Sequence, residues 1–502
     1  MTAEKYDIVI IGAGLGGLEC GYILQKHGKR VCIVEKDALI GGCLQTFRRG
    51  TAKFDTGFHY IGSLEEGQVL HKLFTYFGLM DLPWVKLDEE CFDEVVIKGE
   101  SYPIANGYER FKDKLAERFP HQRKNLEEYI KFLKEVGDGI NDSFNPMSTY
   151  DFYSQSLFAE SAYDYLCKTI TDERLRDVLS GTALKMELNA EKLPLYVFAQ
   201  ISSSFIQSAY RLQGGGMQIA ERLRDNIEKL GGRVEHNAEV TGVVEDDGKI
   251  KAVVINNGER TVEADMFISD AHPATTMNLL AESKLIRNIY RKRINNLENT
   301  FGIFTVNLSL KPNAVKYLNR NIFVYTDDDL WHINDNAGDD VKAIFISIAP
   351  PEDGSQYTCN IDLLTAMKWD KVAQWHGTKV GRRGAYYEAM KREMAEKCIA
   401  LASQHVEGLA DAIEHIYTST PLTYADYTGT HCGSAYGIRK NYNELMYTVL
   451  TPKTPVPNLL LTGQSLNLHG ILGVSMTAVI TCAEILGLKN VVNEIYNANK
   501  EQ

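Results

Sequence analysis

Proline is scarce, 13 residues in 502, and no low-complexity tract interrupts the chain, so the composition lacks the polar, apolar-poor bias of disordered segments. With 44% hydrophobic and 24% charged residues it reads as folded throughout, with material for about three packing units at ~100–200 residues each. Basic charge is in deficit: 54 Lys and Arg stand against 66 Asp and Glu, a net charge of −12. That balance opposes attraction to phosphate backbones, and no nucleic-acid partner is expected. The nine cysteines contain no CxxC pair, which excludes the spacing of a zinc ribbon or a thioredoxin-like site, and no metal is expected. An odd, unpatterned count suits a reducing cytosol. Uninterrupted apolar runs of about 18 residues are missing, so no spanning helix is expected. The first strand-like run begins at Tyr6, which leaves no room for a secretory n-region and cleavage site. The resulting expectation is a cytoplasmic protein, with peripheral contact to a membrane surface left open. No G-x-S-x-G elbow is present to argue for a hydrolase.

What is present begins with a βαβ pattern. Asp7–Ile11 reads as a strand, Gly12–Gly17 as a GxGxxG turn, Leu18–His27 as a helix and Val31–Val34 as a second strand closing on Glu35. In such a turn the first glycine allows the tight bend, the second lets backbone approach a pyrophosphate, and the third lets helix and strand pack closely. The helix N-terminus adds free N–H groups and positive dipole character. Glu35 follows Gly17 by 18 residues (35 − 17), the place for a carboxylate that accepts ribose hydroxyls and disfavours a 2′-phosphate. At this point FAD and NAD both qualify.

Residues 107–205 carry helical periodicity, as in Phe111–Phe119 and Leu126–Lys134, and end in the apolar stretch Leu193–Ile206. From Val240 the pattern alternates around Asp247-Gly248 and Asn257-Gly258, which predicts a small β-meander followed by one more strand at Ala264–Asp270. Further strands are predicted at 301–310, 341–349 and 357–364, and a long helix at Gly384–Val406. The chain closes with a strand, a glycine loop and a helix over Asn458–Leu486.

The sequel to Glu35 separates the cofactors. Gly41–Phe47 (GGCLQTF), Phe54–Gly62 (FDTGFHYIG), Gly214–Gly216, Gly433–Gly437 and Thr462-Gly463-Gln464 occur in an order that resembles the flavin-containing oxidoreductases that include phytoene desaturases, carotenoid isomerases and retinol saturases. The first two segments are most similar to the retinol saturase branch, since desaturases usually have Arg in place of Cys43. Residues 6–62, 211–274 and 424–486 carry the resemblance.

The resemblance implies an α/β fold: a discontinuous Rossmann-like FAD-binding domain (1–90, 205–285 and 420–502), an inserted α+β substrate domain (91–106 and 286–419) and a helical cap (107–204). It implies that Gly12, Gly14 and Gly17 hold the FAD pyrophosphate and Glu35 the adenosine ribose, with Gly41 and Gly42 alongside. Val240 would offer its backbone to the adenine, and Gly463 and Gln464 would approach the phosphate and ribityl region. Gly470, Gly473 and Val474 would lie near the isoalloxazine. The implied activity is FAD-dependent oxidoreduction at a carbon–carbon double bond of an apolar polyene, retinoid or carotenoid-like substrate, leaning to saturation. Desaturation and cis–trans isomerisation are the alternatives within the fold, and amine oxidation or flavin-dependent lipid binding lie further off. The sequence around His469–Gly473 departs from the saturases, which leaves the direction of reaction open. No residue declares itself catalytic; His59 and His469 are the candidate proton donors, since imidazole titrates near neutral pH. Cys43 reads either as a redox group or as a small buried hydrophobe. Leu193–Ile206 and Phe301–Leu310 read either as core or as the wall of a substrate tunnel. The electron donor or acceptor is not readable from the sequence.

Overall fold

A computed structural model describes residues 5–50, 52–150 and 158–500. Strand Lys5–Ile11 passes through helix Leu15–Lys26 to Val31–Val34, which pairs with it in parallel from Ile8↔Val31 to Ile11↔Val34. All four residues of the second strand are buried, as befits a parallel strand covered on both faces. The sheet they begin is completed from distant parts of the chain, in the order Arg233–Glu235, Val31–Val34, Lys5–Ile11, Arg260–Ser269, Lys249–Ile255, Val240–Asp246.

The strand Arg260–Ser269 has a double role. Its first half pairs antiparallel with the meander strand, Ile255↔Arg260 to Ala252↔Glu263. Its second half pairs in parallel with Leu459–Leu461, and along its length it is parallel to Lys5–Ile11. The sequence pattern separates a meander from one further strand; the structure makes the third meander strand and that further strand one continuous element of 10 residues. Hydrophobic alternation fails to show this because the strand changes partners midway, from a half-exposed ribbon to a covered parallel sheet.

Asn458 stitches the last strand into place. Its Oδ1 accepts from Ile250 N at 3.0 Å, and its Nδ2 donates to the Ile250 carbonyl at 2.7 Å and the Asp265 carbonyl at 3.1 Å. One side chain thereby satisfies backbone groups of two strands where the ladder changes partner.

A second seven-stranded sheet runs in the order Ile413–Ser419, Gly302–Leu310, Asn360–Met367, Ala343–Ile348, Asn321–Tyr325, Asp93–Ile97, Glu100–Ile104. Asn321–Tyr325 is a strand that the sequence pattern does not announce, and the run at 357–364 divides into Tyr357–Thr358 and Asn360–Met367. Side chains alternate across this sheet. Phe304, Val306, Leu308, Ile344 and Ile346 pack towards helix Ala385–Ala402, while Ile303, Phe323, Phe345 and Leu364 face the other way. The helical segment contains Tyr108–Arg118, Arg123–Asp142, Ala162–Thr169, Glu173–Ser180 and Leu195–Gln207. The apolar stretch at 193–206 is mostly this last helix, buried nearly all round, which explains why it shows no polar stripe. The fold is thus α/β: a discontinuous Rossmann-like sheet, an inserted mixed sheet and a helical cap.

Replacing Asn458 by Leu, similar in size, strands the two buried backbone groups of Ile250 and the part-buried carbonyl of Asp265. We expect a loss of about 2–4 kcal/mol, read as a lower urea midpoint, with the secondary structure retained.

Candidate functional site

The glycine loop sits where the first strand ends. Gly12 N donates to the Val34 carbonyl at 2.9 Å and takes φ +100°, so a side chain there would be strained. Helix Leu15–Lys26 starts at Gly14, which has no side chain to cap it, and the carboxyl of Asp270 lies against the amides of Gly14 and Gly17. A Cβ on Gly14 would lie 2.5 Å from Asp270 Oδ2, at the end of the flexible Asp270 side chain. A Cβ on Gly17 would instead run into the Gly12 carbonyl, which is backbone and cannot swing away.

A second helix, Gly470–Leu486, brings another uncapped N-terminus, and it packs on the first helix. Both ends open on one cavity of about 510 Å³. Two helix N-termini on one cavity suit an anionic ligand. The cavity wall includes Gly12, Gly14, Glu35, Gly41, Gly42, Val240, Gly463, Gln464, Gly470 and Val474 together with His59 and His469. Gly17 and Gly473 are not on that wall. Gly17 faces the Gly12 carbonyl and Gly473 faces Leu468, so their lack of a side chain serves helix packing.

Glu35 Oε2 accepts from Ala13 N at 2.8 Å and Oε1 from Asp37 N at 3.0 Å. Burial nevertheless holds its pKa above the usual carboxylate range. Each oxygen keeps a lone pair for a further donor. Asp270, which sequence reasoning passed over, ends the strand Arg260–Ser269 and reaches between the glycine loop and Gly463. Its backbone N donates to the Ile11 carbonyl at 2.8 Å. Burial pushes its carboxyl up to about 7, against the amides of Gly17 and Gly14, which favour the charged form. The available signal was an acid directly after a strand that could pair beside the glycine-loop strand.

The other half of the cavity is apolar. Ile201, Phe205, Ile303, Phe323, Phe345 and Leu364 line it, drawn from the cap and the second sheet. His59 lies edge-on to Phe345 with ring centroids 5.5 Å apart, and among the described residues its Nε2 has no hydrogen-bond partner. Burial, and after it the charge of Arg211, lowers its pKa to about 3. His469 lies 4.3 Å from the Tyr436 ring, and its Nε2 is 2.9 Å from the Lys185 carbonyl. Burial lowers its pKa to about 4, so the ring is neutral at pH 7; facing a carbonyl, Nε2 is assigned the hydrogen and Nδ1 is bare. Cys43 is exposed on the cavity wall, where desolvation by the surrounding protein pushes its thiol up to about 11, so it is not a thiolate at neutral pH. Lys185, also on the wall and missed by sequence reasoning, pairs with Asp93 at 2.7 Å. No cluster of three or more metal-ligating side chains occurs among the described residues.

A groove with glycine wall positions, two helix N-termini and a carboxylate at the end of the second strand fits a flavin dinucleotide. Asp270 is a group of the wrong charge at the cradle, and its raised pKa lowers the cost of a neighbouring pyrophosphate.

Two glycine variants separate the roles. Gly14→Val folds, because Asp270 can swing aside, and loses FAD uptake by more than tenfold in a fluorescence titration. Gly17→Ala lowers the melting temperature of the cofactor-free chain itself, since helix and strand must part. A pH experiment isolates Asp270: raised from the usual carboxylate range to about 7, its pKa stabilises the folded cofactor-free chain at low pH, and that stability is lost as pH rises towards 7. Asp270→Asn is therefore expected to melt a few degrees above wild type at pH 8 and to converge with it at pH 4.

Comparison with known proteins agrees with this geometry. The family described as flavin containing amine oxidoreductase matches residues 15–486. An all-trans-retinol 13,14-reductase of Rattus norvegicus is 26% identical over 96% of this chain and 86% of its own. A prolycopene isomerase of an Oncidium hybrid is 22% identical over 87% of this chain and 76% of its own. Among solved structures, a putrescine oxidase triple mutant superposes with a TM-score of 0.62 at 17% identity, over 96% of this chain and 99% of that one. With the match running through nearly the whole chain, from the glycine-loop helix to the end of the last cavity helix, the protein belongs to the flavin containing amine oxidoreductase family and is an FAD-dependent oxidoreductase.

Proposed function

We propose that this enzyme reduces a carbon–carbon double bond of an apolar polyene of retinoid or carotenoid type. The observation that carries the reading is the continuity of the cavity, from the glycine cradle into a chamber walled by Ile201, Phe205, Ile303, Phe323, Phe345 and Leu364. An extended hydrocarbon gains from burial against such a wall by about 25 cal/mol per Å². The similarity to a retinol 13,14-reductase along nearly the full length supports the same substrate class. Amine oxidation is disfavoured by charge: at the chamber end the wall carries Lys185, already paired with Asp93, and among the described residues no free carboxylate that would receive a protonated amine.

The groove residues named above would hold FAD, with the N-terminus of helix Leu15–Lys26 and Gly463 at the pyrophosphate, Glu35 at the ribose and the N-terminus of helix Gly470–Leu486 near the isoalloxazine. When bound, FAD supplies two-electron hydride chemistry. The chain's part is to exclude water from the chamber, to hold the polyene extended, and to present a proton for the second carbon. Both histidines are neutral there, because burial removes the imidazolium form. His469 spends its N–H on the Lys185 carbonyl. His59 keeps a nitrogen without a partner among the described residues, and is the better placed of the two to relay a proton, accepting one at one ring nitrogen as it releases one from the other so that the ring stays neutral. No helix among the described residues is long and apolar enough to cross a membrane. We propose that substrate is drawn from a membrane surface by peripheral contact of the cap.

An anaerobic single-turnover experiment tests direction. Dithionite-reduced enzyme is mixed with retinol, flavin absorbance is followed and the product is weighed. A gain of two hydrogens with reappearance of oxidised flavin absorbance supports reduction. Unchanged mass with altered geometry assigns isomerisation, and loss of two hydrogens with oxidised enzyme alone assigns desaturation.

A further inference from the structure

Lys185 is a costly residue to bury, and nothing described so far explains it. It lies on the short turn Ala183–Lys185 that follows helix Glu173–Ser180, with its side chain 8% exposed and on the chamber wall. An ammonium held in an apolar wall is tolerated only with a counter-charge and hydrogen bonds. Burial lowers its pKa, and Asp93 opposes that shift.

Asp93 is fully buried and is the one counter-ion among the described residues, 2.7 Å from Lys185 Nζ. Its own oxygens are otherwise committed: Oδ2 also accepts from the Tyr60 hydroxyl at 2.8 Å, and Oδ1 accepts from Asn321 Nδ2 at 2.8 Å. Lys185 has three N–H donors, and Asp93 takes one. Among the described residues no acceptor takes the other two. They face rings instead, with Nζ 4.0 Å from the centroid of Phe205, 5.0 Å from Tyr60, 5.4 Å from Phe92 and 5.7 Å from Phe323. Aromatic faces stabilise the charge, but they leave directed N–H donors unsatisfied.

We propose that Lys185 is a specificity-determining residue that donates a hydrogen bond to an oxygen atom, of a hydroxyl or a carboxylate, at one end of an otherwise apolar polyene. The inference rests on the polyene reading above and deepens it. It also ties recognition to register. The Lys185 carbonyl receives the His469 N–H at 2.9 Å, and His469 is the residue from which helix Gly470–Leu486 starts. An oxygen fixed on Lys185 is therefore fixed relative to the cofactor cradle, and this would determine which double bond is presented for reduction.

The test is equilibrium binding to the oxidised, FAD-loaded full chain, followed by flavin and ligand fluorescence, with no turnover required. The probes are retinol, retinoate and the corresponding hydrocarbon that lacks the oxygen. Wild type is expected to bind at least one oxygenated probe about tenfold or more tightly than the hydrocarbon, the range of one hydrogen bond from a charged donor. Lys185→Met is expected to abolish that preference while hydrocarbon affinity stays within about threefold. FAD content and melting temperature report on folding. Because Lys185→Met leaves Asp93 without its ion pair, the double variant Asp93→Asn, Lys185→Met removes both charges and is expected to lose the same preference. Equal binding of all three probes by wild type, or a preference that survives in both variants, overturns the role of Lys185 and leaves the polyene reading standing. Failure of wild type to bind any of the three overturns both.

Discussion

The parallel pairing of Lys5–Ile11 with Arg260–Ser269 is the contact on which the rest of the site depends. Its register, Lys5↔Glu263 through Ile11↔Ser269, ends both strands at the same level. Gly12 and Asp270 therefore leave the sheet side by side, and the glycine loop turns directly over the carboxyl of Asp270. The same strand carries Leu459–Leu461 on its other edge, which delivers Thr462, Gly463 and the loop leading to helix Gly470–Leu486. Two helix N-termini that lie hundreds of residues apart in the chain meet because one strand holds both of their lead-in strands. Parallel strands need long connections, and the cap and second sheet are housed in them.

The cavity has two chemical halves, and the difference follows from what each set of elements can offer. The dinucleotide half is made of backbone: loop glycines, helix starts and strand ends, with donors that need no side chain. The chamber half is made of side chains from a sheet whose strands are buried on both faces and from a cap helix buried nearly all round. Such elements present branched and aromatic groups, and they supply little hydrogen-bonding capacity. Polar groups that do reach the chamber are held neutral or paired. His59 and His469 are deprotonated by desolvation, and Lys185 keeps its charge beside Asp93. A chamber of this kind excludes water, favours hydrocarbon and makes each remaining polar group strongly selective.

Asp270 and Lys185 are opposite solutions to one problem. Each is an ionisable group at a cavity wall in a low-dielectric setting. Asp270 has only backbone amides to favour its charge, and its pKa rises to about 7. Lys185 has a carboxylate at 2.7 Å, itself held by Tyr60 and Asn321, so the pair is locked in by neighbours from the second sheet and the strand region near the N-terminus. The first group can change its charge as the cradle fills, and the second cannot do so without leaving Asp93 uncompensated.

The local patterns were readable from the chain alone. GxGxxG between a strand and a helix, Glu35 at a fixed spacing, the turn signals of the meander and the unbroken helix Gly470–Leu486 are set within short windows, where backbone sterics and periodicity decide. Most of the residues singled out from these windows line one cavity, while Gly17 and Gly473 face carbonyls within their own segments, because a missing side chain serves close packing as well as ligand approach. Tertiary structure alone decided the rest. Asn321–Tyr325 carries a β-prone run, Ile322 to Tyr325, but its place between the hairpin Asp93–Ile104 and Ala343–Ile348 is recorded by no local signal. The polarity of the chamber was equally hidden: Asp93, Lys185 and Asn321 are far apart in sequence and each looks like a solvated surface residue. Their meaning arises only when packing removes water from all three at once, so that each must be satisfied by the others.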